Sequence, residues 1–88
     1  MPRYYFNIRN GCGFTPDEEG VELSSAGDVR AQAIRGARSL ISAGVLEGLL
    51  DLDGRIEVID ECDDEVLTLR FRDAVDIHHD DPFGAANR

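Results

Sequence analysis

Four residues of this 88-residue chain carry atoms that bind zinc: Cys12, Cys62, His78 and His79. Zinc sites hold their ligands in close pairs across a loop, and these four are not spaced that way. Adjacent histidines on an extended segment also point to opposite sides. An idle thiol pair and no metal are expected. Asp51-x-Asp53-Gly54 matches the middle of a calcium loop. It lacks the other ligands and the closing bidentate glutamate, and so reads as a turn. Asp17-Glu18-Glu19 reads as an exposed acidic turn, and Asp60-Glu61 with Asp63-Asp64 as a solvated hairpin tip. There is no serine elbow, no phosphate loop and no histidine inside an apolar-periodic segment. No catalytic residue and no cofactor is therefore expected, and the chain reads as a non-enzyme.

The remaining chemistry is that of arginine. Every basic residue is arginine and none is lysine. A GC-rich coding bias explains the set, while individual positions can still exploit the planar fork that grips carboxylates. By strand alternation, one sheet face carries Arg3, Tyr5, Asn7 and Arg9, then Arg55, Glu57, Ile59 and Glu61, then Val66, Thr68, Arg70 and Arg72. An antiparallel sheet tolerates one wet face, but tyrosine and arginine are also the types that interfaces favour. Tyr5, Arg9, Ile59, Arg70 and Arg72 are the expected contact surface, used by a second copy of the chain or by another protein. Self-association would bury Tyr5, Ile59 and Val66, and would let Arg70 or Arg72 pair with Glu57 or Glu61. The same groups could stack on a single nucleic-acid strand, but the interspersed glutamates disfavour that partner. The same arginines with Tyr5 could also recognise a small anion, whose identity the sequence leaves open.

The elements that must position these residues follow from periodicity. Arg3 to Arg9 alternates as a half-buried strand, with Tyr4, Phe6 and Ile8 inward. Asn10-Gly11-Cys12-Gly13 supplies a turn, Phe14-Thr15 a short return, Thr15-Pro16-Asp17-Glu18 a second turn, and Val21 to Leu23 a short edge strand. Ser24 or Ser25 caps a helix, and Ser25 with Asp28 resembles a capping box. Ala26, Val29, Ala33, Ala37 and Leu40 form its apolar stripe, flanked by Ile34 and Ile41; Arg30, Arg35 and Arg38 fall off it. Gly44 and Gly48 are both possible stops, with Gly48 better placed. If the helix runs to Glu47 it outreaches the strands, and Val45, Leu46, Leu49 and Leu50 need cover from a tail or another subunit. Arg55 to Glu61 and Glu65 to Arg72 form a hairpin around Cys62-Asp63-Asp64. The expected fold is α+β: an antiparallel sheet of three to four strands with one helix on one face, in the order β-(β)-α-β-β. Residues 1–76 make the single domain and 77–88 a mobile tail.

Composition sets the outer limits. Nine arginines against eighteen acidic residues give a formal charge of -9, and 42% of residues are hydrophobic. One small domain fits this length, with a core near the lower limit of independence. Clustered cations are what phosphate backbones require, so the acidic balance argues against nucleic acid. No apolar run approaches a membrane span, no signal segment follows Met1, and two cysteines make no disulfide framework. A cytoplasmic protein with reduced thiols is expected.

Taken together, Pro2-Arg3-Tyr4-Tyr5-Phe6, Arg9-Asn10-Gly11, Asp17-Glu18-Glu19-Gly20, Ala37-Arg38-Ser39-Leu40, Arg55-Ile56-Glu57-Val58 and Phe71-Arg72-Asp73-Ala74 carry a resemblance. The chain over residues 2–75 resembles a family of short rhizobial and alphaproteobacterial proteins catalogued as a domain of unknown function. That resemblance transfers no catalytic residues. In topology alone the chain is similar to small antitoxins of the HicB type, which implies an alternative role as the regulatory partner of a basic protein. In size and first residues it resembles tautomerase-type enzymes. That likeness implies a lesser alternative, in which a Pro2 amine freed of Met1 acts as general base.

Overall fold

The computed structural model describes residues 2–11 and 13–78. The expectations for Cys12, His79 and most of the 77–88 tail lie outside the described residues. The chain runs β1 (Arg3–Asn10), β2 (Gly13–Thr15), β3 (Val21–Glu22), α1 (Ala26–Leu46), β4 (Arg55–Ile59) and β5 (Glu65–Arg70), followed by a 3-10 turn at Phe71–Ala74. It is an α+β fold with an antiparallel sheet of five strands, one more than the upper count the sequence suggests. The extra strand arises because the short segments on either side of Asp17 both pair with β1. β2 takes its far end, with Arg9 opposite Phe14, and β3 its near end, with Arg3 opposite Glu22.

Those two strands leave a gap along the outer edge of β1, and one side chain fills it. Asp17 Oδ2 accepts the Phe6 N–H at 3.1 Å, while Oδ1 accepts the N–H groups of Glu19 and Gly20, both at 3.2 Å. The Asp17 N–H in turn donates to Asn7 Oδ1 at 2.8 Å. A backbone donor left without a partner at such a place costs a large fraction of a domain's stability. The exposed acidic turn expected at Asp17-Glu18-Glu19 is thus corrected at Asp17, which is half-buried, while Glu18 and Glu19 are exposed. Gly20 closes the turn at φ +74°, and a Cβ there would lie 2.8 Å from Arg3 Cγ and 2.9 Å from the Tyr5 ring.

The inner edge of β1 pairs with β4 from Tyr5–Ile59 to Arg9–Arg55. β4 pairs with β5, where a bulge sets Glu65 opposite Ile59 and returns Leu67 to Val58. Val29, Ala33 and Ala37 of α1 pack on Ile56, Val58, Leu69, Phe71 and Ala74 to form the core. Alanines and Gly36, whose missing Cβ would touch Ile56, let the helix approach the sheet closely. Leu40, expected on the buried stripe, is 38% exposed, and it is Ile41, four residues after Ala37, that continues the packing on the core.

Both helix ends are capped by sequence-encoded devices. Ser25 is the N-cap, its hydroxyl accepting the Asp28 N–H at 3.1 Å. The reciprocal half of a capping box is replaced by Ser24, whose hydroxyl donates to the Asp28 carboxylate. At the far end Gly48 has φ +88°. Its N–H donates to Val45 O and that of Leu49 to Gly44 O, the paired bonds of a Schellman motif. The stop is therefore Gly48. Gly44 instead makes room for the returning chain, since a Cβ there would meet Leu49 O at 2.9 Å. At ~1.5 Å per residue α1 is about 32 Å long, roughly twice the length of β4. Its overhang leaves Val45, Leu46, Leu49 and Leu50 more than half exposed. No helix among the described residues is long and apolar enough to cross a membrane.

Asp17→Ala is expected to lower unfolding free energy by about 2–3 kcal/mol, because three N–H groups lose a charged acceptor together. Urea denaturation checks this, with Glu18→Ala, which removes a neighbouring exposed carboxylate, expected to stay within about 0.5 kcal/mol of the parent.

Candidate functional site

The face of the sheet turned away from α1 is organised in rows across the strands. Registers place Phe14, Arg9, Arg55 and Arg70 directly opposite one another on β2, β1, β4 and β5. The next row along is Asn7, Glu57 and Thr68, and the one after it Tyr5, Ile59 and Glu65. Asn7 is the buried polar residue of the described chain, held there by its bond to Asp17.

Three arginines in one row repel, since like charges directly opposite destabilise a sheet. Glu57 relieves two of them. Its Oε2 accepts Arg55 Nε at 2.7 Å and Arg9 Nε at 3.3 Å. The Arg55 hydrogen bond, with help from Arg9, holds the Glu57 carboxyl below its ordinary range against a desolvation that would raise it. Arg9 also lies over the Phe14 ring, 4.5 Å from its centroid, an attraction between a cation and the ring's negative face. Arg70 reaches out of the row to Asp73, with contacts of 2.9 and 3.3 Å. Its hydrogen bond to Asp73 raises the guanidinium's pKa further above its already high ordinary value. Three guanidiniums against two carboxylates leave a local excess of one positive charge, in a chain whose net charge is -9.

Of the five expected contact residues, four lie on this face. Tyr5 and Ile59 are a direct cross-strand pair at one end, and Arg9 and Arg70 share the row at the other. Arg72 does not join them. It sits in the 3-10 turn, where it donates to Leu52 O and pairs with Asp53 at 3.0 Å. The pairing of Arg70 or Arg72 with Glu57 or Glu61 expected on self-association is one between copies; within the chain Glu57 is engaged by Arg9 and Arg55. Glu61 lies in the hairpin turn rather than on β4, so its place at the end of the alternation falls away. Arg55, Glu57 and Phe14 complete the site, and their grouping depends on registers that the sequence does not print.

The other candidates are scattered. Cys62 is an exposed thiol at the hairpin tip, and His78 is exposed beyond the 3-10 turn. No group of three His, Cys, Asp or Glu residues among the described residues could hold a metal. In the 51–54 turn, Asp51 accepts the Asp53 N–H at 2.9 Å, and the Asp53 carboxylate faces Arg72. Near Pro2, Arg3 is tied to Glu19 O and Glu22, while Arg55 lies opposite Arg9 at the other end of β1.

The model of the family described as Domain of unknown function (DUF6894) matches residues 3–72. No curated protein and no solved structure matches the chain.

Because its pKa is lowered in the folded state, ionised Glu57 stabilises the fold above the ordinary glutamate value of about 4.3. That contribution disappears as pH falls through the folded-state value. Glu57→Gln is expected to cost about 1 kcal/mol at neutral pH, with the difference from the parent shrinking below pH ~4. Urea melts of both proteins across that pH range check this.

Proposed function

We propose that the chain, which belongs to the DUF6894 family of domains of unknown function, is a binding module rather than a catalyst, and that it associates with itself through the open face of its sheet. The observation that carries this reading is the face's division into two zones. At one end Tyr5 and Ile59 offer joined, half-buried apolar surface; at the other an arginine row offers forked donors. An apolar patch bordered by charge is the composition of a small protein interface. Among the described residues the helix and the 3-10 turn both pack against the other side of the sheet, and on this side Arg9 and Arg70 are exposed while Tyr5 and Ile59 are half-buried.

The carboxylates on the face balance most of its cations, which suits a protein surface of mixed charge better than a polyanion. Such a module would work in the cytoplasm, where the Cys62 thiol stays reduced.

Sedimentation velocity over a concentration series tests the proposal. A reversible shift from monomer toward dimer at high micromolar concentration is expected, and Ile59→Thr, which keeps a β-branched residue, should weaken it several-fold while leaving the circular dichroism unchanged. A protein that stays monomeric throughout would overturn the self-association reading.

A further inference from the structure

The open face has a direction. Along β4 it begins at the arginine row, passes Glu57 and Ile59, and ends in the β4–β5 hairpin tip, which carries Asp60, Glu61, Asp63 and Asp64. The Asp60 carboxylate holds the tip itself together, accepting the N–H groups of Cys62 at 2.8 Å and Asp64 at 3.0 Å. Asp63 takes the left-handed turn position at φ 65°. Glu61, Asp63 and Asp64 are all exposed. The face is therefore cationic at the arginine row, and beyond its other end, where Arg3 on β1 is paired with Glu22, the exposed hairpin tip is anionic, with Tyr5 and Ile59 between the two.

We infer that two copies of the chain pack sheet face on sheet face about a two-fold axis, strands running in opposite directions, so that the acidic hairpin tip of each copy lies over the arginine row of the other. This rests on the self-association reading and specifies its geometry. A stack with strands in the same direction would set arginines on arginines and acids on acids. The two-fold arrangement sets each on its complement, twice, and is the self-complementary contact that dimers ordinarily use. It also brings the Tyr5–Ile59 pairs of both copies close to the axis, giving an apolar centre with a charged rim. Arg70 can turn to a partner carboxylate at small cost, since its pair with Asp73 is well exposed on both sides. Arg9 and Arg55 keep Glu57 and present their remaining N–H donors outward. The contact is small: β1, β2, β4 and β5, of 8, 3, 5 and 6 residues, cover roughly 350 Å² per copy at ordinary strand spacings. A standard interface covers about 800 Å² per partner. The dimer is accordingly weak, and it depends on charge pairing for its orientation.

The test is an exchange of charge. Arg9→Glu with Arg70→Glu reverses the row; Glu61→Arg with Asp64→Arg reverses the tip and spares Asp60. Each double variant alone is expected to lose about tenfold or more in association constant, whereas their equimolar mixture regains association to within about threefold of the parent, because both rim contacts again join opposite charges. If the parent associates but the mixture does not recover, the two-fold arrangement is overturned while self-association stands. A parent that is monomeric removes both. Should a variant fail to fold, the unaltered chain still decides the matter through amide chemical shifts followed on dilution. Shifts at Tyr5, Arg9, Ile59, Arg70 and residues 61–64 together are the expected result. Shifts confined to Val45, Leu46, Leu49 and Leu50 would instead place the contact at the helix overhang and overturn the inference.

Discussion

The fold depends on how the outer edge of one strand is satisfied. β1 is the strand on which the rest is arranged, pairing on its inner edge with β4 from Tyr5 to Arg9 and sharing its outer edge between two short partners. Short partners cannot cover that edge alone, and a single carboxylate, Asp17, closes the interval by accepting three backbone N–H groups. A β-strand with an uncovered edge invites pairing with other chains. Asp17 removes that hazard, and it also tethers the loop whose Gly20 lies against the Tyr5 ring. Tyr5 stands on the open face by alternation, since Tyr4 and Phe6 pack on the core, and the tethered loop then lies against its ring.

The sheet face and the helix solve separate problems with separate residues. Small side chains at Ala33, Ala37 and Gly36 let the helix lie close, and the large apolar volume comes from the strands and from Phe71. The Phe71 ring is accommodated because Gly54 has no side chain; a Cβ there would lie 2.6 Å from it. On the reverse face, selection of arginine over lysine matters at Arg9 and Arg55. Each presents Nε to one Glu57 oxygen and keeps other donors for use elsewhere. A lysine pair would supply point charges without that division of labour.

Much of the architecture was legible in the sequence. Alternation located β1, β4 and β5, and Ser24 or Ser25 at one end and Gly44 or Gly48 at the other bracketed the helix. A helix that outruns the strands was one of two outcomes its length allowed, and its last turns leave Val45, Leu46, Leu49 and Leu50 exposed. Three things were not legible. The role of Asp17 was hidden because an acidic run reads as solvated surface; its one signal was Gly20 three residues on, the spacing of a turn closed by a carboxylate. The arginine row was hidden because each ladder's register is set by contacts remote in sequence, so Arg9, Arg55 and Arg70 could be assigned to one face but not to one line. Arg72 was misplaced because strand alternation was continued past Arg70. Phe71 ends it there by donating its N–H to Gly54 O at 2.9 Å and turning the chain into a 3-10 turn.

That same anchor bears on how the chain can vary in length. The β4–β5 ladder is pinned at its base by the Phe71–Gly54 bond, whereas its distal end already absorbs one surplus residue in the bulge opposite Ile59. Insertions or deletions near Val66 and the tip would be taken up locally, leaving Leu67, Leu69 and the helix contacts in phase. The hairpin end can thereby change in length without disturbing the core, while the base, fixed by aromatic packing, must keep its residue count.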